Sequence, residues 1–167
     1  MEAWYAIRVR TNLEKQVCAS LDGKGFETYL PLNRASSRWS DLLKRIEIPV
    51  FDGYLFSRFD AVRRLPVLST AGVVNIVGNG MGPLPVDETE LNTVRKLLSA
   101  GEPVTPCPYL KSGDLVVLER GPLAGARGIL LQVNNRYRLV VSVTRLKRSI
   151  AVDVARETVP QPPIIHG

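Results

Sequence analysis

The first hundred residues alternate between strand-like and helix-like hydrophobic patterns. Residues 4–10 predict a first strand, with Ile7 and Val9 on one face and Arg8 and Arg10 on the other. Apolar residues then recur at helical spacing, so residues 12–22 predict an amphipathic helix, which Thr11 and Glu14 begin with a capping box. Residues 26–32 predict a second strand.

The longest strand-like run covers residues 46–59. Pro49 removes a backbone donor and Gly53 admits a bend, so we predict two strand segments joined by a kink. Because side chains alternate across a strand, Tyr54 and Phe56 share one face. If a helix covers the opposite face, we expect these rings to lie near the surface, where they can receive another protein.

Residues 33–45, between these strands, are basic and lack periodicity. One interpretation is a hairpin or loop in which Arg34 and Arg38 contact a nucleic-acid backbone while Trp39 stacks on a base. A solvated connection whose tryptophan folds back onto the domain fits the same pattern equally well.

The rest of the first part adds a short helix within residues 60–69, a strand at 73–77 and a flexible glycine turn at 78–82. A second capping box at Asp87 begins another helix. Two main helices over a mostly antiparallel sheet make an α+β sandwich of the ferredoxin-like kind, which we assign to residues 1–102.

The second part contains short strands only. Its prolines predict an extended linker over residues 103–112. Four short strands with an Asn134–Asn135 hairpin turn then predict a small, partly open β-barrel over residues 113–160. Its many β-branched residues favour strands, so we expect a permanent barrel. Residues 161–167 predict a loose tail.

Composition describes an ordinary globular protein, with 45% hydrophobic residues, 23% charged residues and a net charge of +6. Residues 103–167 hold nine Lys/Arg against four Asp/Glu, which permits contact with nucleic acid or with an acidic protein surface. No apolar run approaches the roughly 20 residues that span a bilayer, and we find no secretory signal. We therefore expect a cytoplasmic protein with no membrane contact.

Candidate catalytic and metal-binding chemistry is sparse. Cys18 and Cys107 lie far apart without metal-ligand spacing, so we interpret both as free thiols in a reducing compartment. The single histidine, His166, lies near the end of the chain, and no carboxylate pair forms a recognisable catalytic motif. We expect neither an enzyme nor a metal or other cofactor.

Two stretches of the second part, Gly113–Leu118 and Gly121–Ile129, resemble the KOW motif of SH3-like barrels. The resemblance implies that Gly128 lets the chain turn sharply between strands. The turn glycines implied by the motif are Gly121, Gly125 and Gly128.

Two stretches of the first part resemble the N-terminal (NGN) domain of the NusG family of transcription factors. These are Trp4–Tyr5 at the start of the first strand and Phe51–Phe56 in the long one. Together with the KOW motif they cover nearly the whole chain in the family's order. The resemblance therefore implies a ferredoxin-like NGN sandwich followed by a small SH3-like KOW barrel.

Within that family the chain is most similar to the UpxY-type, RfaH-related specialised paralogues, which act on particular operons, commonly for surface polysaccharide. The similarity lies in Tyr29–Leu32, Arg38–Asp41 and Arg138–Val143. Asp52 departs from the pattern, since the family often has proline there, and a carboxylate beside the docking surface affects the local geometry.

The resemblance implies a monomeric elongation and antitermination factor. Such a factor docks an apolar cavity on the clamp helices of the RNA polymerase largest subunit and suppresses pausing and termination. By position, the residues implied for the cavity are Trp4, Tyr5, Phe51, Tyr54 and Phe56. A second polymerase contact, with the opposite jaw of the DNA channel, is implied for Arg63 and Arg64.

Paralogues of this type also read the non-template DNA strand, and the resemblance implies that role for Arg10, Lys24 and Thr70, with Arg34 and Arg38 as further basic candidates. The barrel would bind ribosomal protein S10 or the terminator Rho. An alternative remains open, in which the chain is a KOW-type RNA-binding module associated with the ribosome.

Overall fold

The computed structural model describes residues 1–35 and 46–159. The chain divides into two compact units, one formed by Met1–Glu88 with Val143–Leu146 and the other by Thr89–Ser142 with Lys147–Gly167. The domain limits at 102, 112 and 160 stay a prediction.

The first unit is built around a four-stranded sheet. Its elements, in chain order, are β1 (Glu2–Val9), α1 (Glu14–Gly23), β2 (Glu27–Tyr29), β3 (Leu32–Ala35), β4 (Ile46–Pro49), β5 (Tyr54–Asp60), α2 (Leu65–Leu68), β6 (Val73–Ile76), β7 (Gly78–Asn79) and β8 (Gly82–Pro83). The sheet has the order β2-β5-β1-β6, and all its neighbouring strands are antiparallel. The result is a mixed α/β arrangement, in which the four-stranded sheet and its helices follow one another along the chain as β1, α1, β2, β5, α2 and β6.

One side of this sheet packs against α1 and α2 and forms a core that we call the helix face. From β1 and β5 it takes Tyr5, Ile7, Val9, Leu55 and Phe59, and from the helices Val17, Leu21 and Val67. All of these side chains are buried. The apolar spacing that predicted α1 therefore sets which side of the helix meets the sheet.

The capping box predicted at the start of α1 is wrong. The helix begins at Glu14 with Leu13 as its N-cap, and no side chain caps it. Asn12 has a left-handed φ of 68°, which places a turn between Thr11 and the helix. Leu13, and not Thr11, therefore occupies the N-cap position, from which a hydroxyl could accept a hydrogen bond from the first turn. Glu14 is buried instead of reaching back, and its Oε1 has no hydrogen-bond partner among the described residues.

The predicted kink in the long central run is confirmed. β4 pairs with β3 in a separate two-stranded sheet, whereas β5 joins the four-stranded sheet. Gly53 takes a φ of 80° between them, a value that a side chain would disfavour. The glycine segment that was expected to be a flexible turn forms the small hairpin of β7 and β8.

The second unit contains one helix and a five-stranded sheet. Its elements are α3 (Glu88–Ser99), β9 (Val104–Cys107), β10 (Leu115–Val117), β11 (Arg127–Val133), β12 (Arg136–Val143) and β13 (Arg148–Val154). The sheet order is β10-β11-β12-β13-β9. Asn134 and Asn135 both have positive φ, 49° and 65°, as a two-residue hairpin turn requires, and they join β11 to β12 as predicted.

The prediction that residues 103–112 form an extended linker and no packed element is wrong for four of them. Val104–Cys107 form β9, which pairs antiparallel with β13. Val104 is buried. The strand lies at the edge of the sheet, where Pro106 is tolerated because one side of an edge strand needs no hydrogen-bond partner. In the described part of the chain, no helix is long and apolar enough to cross a membrane.

Candidate functional site

One side of the four-stranded sheet is lined with aromatic residues. Residues directly opposite each other in an antiparallel pair point to the same side. Phe56 of β5 lies opposite Ala6 of β1 and opposite Tyr29 of β2, and alternation along the strands adds Trp4 and Tyr54 to this side. We call the side that bears Trp4, Tyr29, Tyr54 and Phe56 the aromatic face.

The rings of the aromatic face are packed together. Phe51, in the turn before β5, meets Phe56 edge-on with ring centroids 6.2 Å apart, and Tyr29 stacks on Phe56 at 6.4 Å. Trp4 is 5% exposed, Phe51 2% and Phe56 0%, while Tyr54 is half-buried. The expectation that Tyr54 and Phe56 lie near the surface is therefore wrong for Phe56, whereas Tyr54 keeps part of its ring exposed.

Tyr5 lies on the opposite side of the sheet from Trp4, as adjacent residues in a strand must. Its ring packs against Phe59 with centroids 4.8 Å apart, within the core of the helix face. The structure thus places Trp4, Tyr54 and Phe56 on one side, with Phe51 packed on Phe56, and separates Tyr5.

The turn before β5 fixes the position of Phe51. The Tyr54 amide donates to the Phe51 carbonyl at 3.1 Å, and the Val9 amide donates to the Gly53 carbonyl at 2.8 Å. These bonds tie the turn to the end of β1. Asp52, the residue that departs from the family pattern, is exposed beside the buried Phe51 ring.

The predicted DNA contacts Lys24 and Thr70 touch each other although they are far apart in sequence. Lys24 Nζ donates to Thr70 Oγ1 at 2.8 Å and to the Pro66 carbonyl at 3.0 Å. Arg10 is exposed at the end of β1, and its amide donates to the Gly72 carbonyl at 2.9 Å. The fold therefore brings the Lys24 ammonium group to Thr70, which is itself buried, and the Arg10 backbone to Gly72, so all three lie beside the segment that follows α2.

Arg63 and Arg64 are exposed in and after a short 3-10 turn that follows β5. Asp60 caps this turn by accepting a hydrogen bond from the Val62 amide at 3.1 Å. The Met1 amino group also donates to Asp60 at 2.8 Å. The hydrogen bond from this amino group, then that from Val62, lower the pKa of Asp60 below its usual value, and nearby positive charge adds to the effect.

The predicted basic arm falls largely outside the described residues. Arg38 and Trp39 lie in the range 36–45, and only the backbone of Arg34 is described. That backbone belongs to β3 and lies opposite Glu47 of β4. The flanking strands therefore pair as a hairpin would require.

Two of the three predicted turn glycines of the second unit form a turn. Gly121 and Gly125 have φ values of 82° and 88°, and the Gly125 amide donates to the Leu118 carbonyl at 2.7 Å. Gly128 lies inside β11, so the prediction of a sharp turn there is wrong. A Cβ at Gly128 would lie 2.5 Å from the Val140 carbonyl oxygen. Glycine is therefore required at this position because β11 and β12 approach too closely there for a side chain.

The described residues offer little catalytic chemistry. No group of three or more His, Cys, Asp or Glu residues within 1–35 and 46–159 could hold a metal ion. Both cysteines are free thiols. Burial raises the pKa of the Cys107 thiol, against a smaller opposing effect of the Arg138 charge, and less thiolate makes a weaker nucleophile.

Tyr29 is a member of the aromatic face that the sequence did not predict as a site residue. It lies in a strand of three residues at the sheet edge, too short for its alternation to stand out. The signal in the sequence was the alternation of the polar Thr28 with the aromatic Tyr29. The structure shows its consequence, since Thr28 lies opposite Ser57 and Tyr29 opposite Phe56, on different sides of the sheet.

Comparison with known proteins agrees with this fold. Residues 2–95, or 94 of the 167 residues, match the family model described as "Transcription termination factor nusG". The transcription termination/antitermination protein NusG of Thermus thermophilus is 27% identical over 172 residues, covering 90% of this chain and 94% of that protein. A solved structure described as "Domain interaction in Thermotoga maritima NusG" is similar in fold, with a TM-score of 0.58, 21% identity and 98% of each chain covered. Because the family model matches more than half of the chain, this protein belongs to the NusG family of transcription elongation and antitermination factors.

Proposed function

We propose that this NusG-family factor docks its aromatic face on the clamp helices of the RNA polymerase largest subunit and thereby suppresses pausing and termination. The observation that carries the proposal is the cluster of rings on the side of the sheet away from the helix-face core, with Phe56 between Tyr29 and Phe51. Aromatic anchors of this kind concentrate binding energy at protein interfaces. Tyr5, in the opposite core, is not part of the proposed contact.

Docking requires a state in which the aromatic face is open, since Trp4, Phe51 and Phe56 are buried in this structure. A partner that binds the open state better shifts the population toward it. The apparent dissociation constant of the partner then equals its intrinsic value divided by the fraction of molecules that are open. Tyr29 and Tyr54, both half-buried, are the rings that polymerase would meet first.

The proposed contact with the non-template DNA strand uses Arg10, Lys24 and Thr70. Their support is the shared location around the end of α2, with Lys24 held by Thr70 and Pro66. A fixed ammonium group can pair with phosphate at a lower entropic cost than a free lysine. Arg34 and Arg38 would extend the contact, and Arg63 and Arg64 would meet the second polymerase surface.

Residues 113–160 would be the KOW domain, an SH3-like barrel that recruits ribosomal protein S10 or Rho. Support comes from the five-stranded sheet of short strands and from the tight loop at Gly121 and Gly125. The similarity to UpxY-type paralogues favours a factor that acts on one particular operon, of the type that encodes surface polysaccharide synthesis. We propose that it acts as a cytoplasmic monomer.

Transcription in vitro over a pause site and a terminator tests the proposal. Read-through should rise with the wild-type chain and fall with Tyr54→Ala. The control is Tyr137→Ala, the same change at a half-buried tyrosine of β12, which should keep full read-through. Equal activity of Tyr54→Ala and wild type, with both chains folded, would refute docking through this face.

A ribosome-associated RNA-binding module is the second candidate function. The excess of nine Lys/Arg over four Asp/Glu in residues 103–167 favours it. Copurification from cells distinguishes the two candidate functions. If the chain docks on polymerase, RNA polymerase should copurify with the tagged chain, and if it is a ribosome-associated module, ribosomal RNA should copurify instead.

A further inference from the structure

One side of the five-stranded sheet exposes aliphatic side chains. Leu115 and Val117 of β10 are 64% and 41% exposed, and Val133 of β11 is 47% exposed. Leu115 lies opposite Ile129, and alternation along β11 places Leu131 and Val133 on the same side, where Ile129 and Leu131 are half-buried. We call Leu115, Val117, Ile129, Leu131 and Val133 the aliphatic stripe.

Arginines border the aliphatic stripe on the same side of the sheet. Arg127 lies opposite Val117, and Arg136 and Arg138 lie opposite the last two stripe residues of β11. All three are exposed, although Arg138 also bonds Asp153 through its Nε at 3.2 Å. A recess of about 400 Å³ at this end of the stripe is lined by Val133, Asn134, Arg136, Arg138 and Asp153.

We propose that the aliphatic stripe binds an acidic amphipathic segment of a protein partner, in which aliphatic side chains alternate with Asp or Glu. The aliphatic side chains would cover the stripe, and the carboxylates would meet the bordering arginines. Arginine pairs with carboxylates in a bidentate geometry, which would fix the register of the segment. Complementary charge of this kind also speeds association and excludes wrong partners.

A second copy of the chain fits the stripe less well. A two-fold contact places the same patch on both sides of the interface. The arginines of each copy would then face a surface bordered by the same arginines, and like charges across an interface are unfavourable.

Nucleic acid also fits the stripe less well. Arginines attract phosphates, but unpaired bases bind to aromatic platforms. Tyr137 of β12 lies opposite Gln132, and therefore on the other side of the sheet from the stripe. The stripe itself holds Leu, Ile and Val only.

The stripe is distinct from the aromatic face, because the two lie in different units. The inference therefore does not depend on docking on polymerase, and it rests on the partner recruitment proposed for residues 113–160, for which it names the surface and the chemistry of the partner.

Titration of the isotope-labelled full chain with a synthetic peptide tests the proposal by NMR. The probe alternates leucine with glutamate, and its matched control carries lysine in place of each glutamate. The glutamate peptide should shift amide signals of β10, β11 and β12, and the lysine peptide should not. Leu115→Ser or Val117→Ser should weaken binding about tenfold through lost apolar contact.

Val74→Ser is the matched control variant, because Val74 is 50% exposed in β6 of the other sheet. It should leave peptide binding unchanged. Arg136→Glu should weaken binding and reduce its dependence on salt. Four results would overturn the proposal: equal binding of the lysine peptide, shifts confined to other strands, tighter binding of a single-stranded RNA, and a chain dimer that Leu115→Ser dissociates.

Discussion

The two sides of the four-stranded sheet have the same alternating pattern but different partners. The helix face combines mostly aliphatic side chains of β1 and β5 with Val17 and Leu21 of α1 in one core. On the aromatic face, by contrast, Phe56 packs against other rings, namely Tyr29 and Phe51. Rings also meet on the helix face, where Phe59 contacts Tyr5 and Phe26. Neither burial nor the presence of rings therefore distinguishes the two sides, and the proposed binding of polymerase is the difference to test.

The largest expected effect is a loss of stability on the helix face. Phe59→Ala removes the ring that packs against Tyr5 at 4.8 Å and against Phe26 at 6.0 Å. We expect the free energy of unfolding to fall by about 3–5 kcal/mol, measured by urea denaturation. Polymerase affinity of the folded protein should not change.

Phe59→Leu is the control for that substitution, because it keeps most of the volume and should cost less than about 1.5 kcal/mol. Polymerase binding of Phe59→Ala is measured under conditions where the chain is folded. If this variant binds polymerase as weakly as variants of the aromatic face do, the proposed difference between the two sides is contradicted.

A smaller effect, on binding, is expected from the aromatic face. Tyr29→Ala removes the ring stacked on Phe56 and should weaken polymerase binding by about 2 kcal/mol, or roughly thirtyfold. The neighbouring Thr28→Ala changes the other side of the same strand and should leave the affinity unchanged. Fluorescence anisotropy of labelled chains with purified polymerase measures both, and equal affinities of the two variants would contradict the assignment.

Lys24→Ala tests the charged end of the helix face, where Lys24 Nζ bonds Thr70 Oγ1. Loss of one phosphate contact should reduce the salt dependence of single-stranded DNA binding by about 0.7 in the logarithmic slope. Lys15→Ala, at an exposed position of α1, serves as the control. An unchanged slope for Lys24→Ala would remove this residue from the proposed DNA contact.

The smallest effect concerns Asp60, which lies at the exposed end of β5 opposite Glu2. Its pKa is lowered from 3.8 first by the hydrogen bond from the chain's amino group. The folded state therefore favours the carboxylate, whose contribution to stability is present above pH 3.8 and is lost as the pH falls through the lowered folded pKa.

Asp60→Asn should accordingly lose a little stability at neutral pH and approach the wild type in acid. Thermal unfolding between pH 2 and 7 measures this difference. A gap between the two proteins that widens on acidification would contradict the sign of the pKa shift.

Most elements followed from the sequence because their signals are local. The kink at Gly53 and the Asn134–Asn135 turn depend on residues with special backbone preferences, and both are present. The first capping box failed because the turn at Asn12, which local pattern did not reveal, moved the helix start. β9 was missed because its pairing with β13, 41 or more residues away in sequence, outweighed the extended, linker-like character of its prolines.

The candidate site was harder to predict than the fold. Alternation correctly placed Tyr54 and Phe56 on one side, but it could not tell that packing with Phe51 and Tyr29 would bury Phe56. The contact between Lys24 and Thr70 joins residues 46 positions apart, and only the tertiary fold creates it.

Site-specific photo-crosslinking tests the central claim most directly. A benzoyl-phenylalanine placed at Tyr54 of the full chain lies on the aromatic face, and one placed at Gln16, exposed on α1, lies on the opposite side. In complexes with RNA polymerase we expect position 54 to crosslink to the clamp helices of the largest subunit and position 16 to give no such product. Crosslinking to the clamp helices from position 16 alone would contradict docking through the aromatic face.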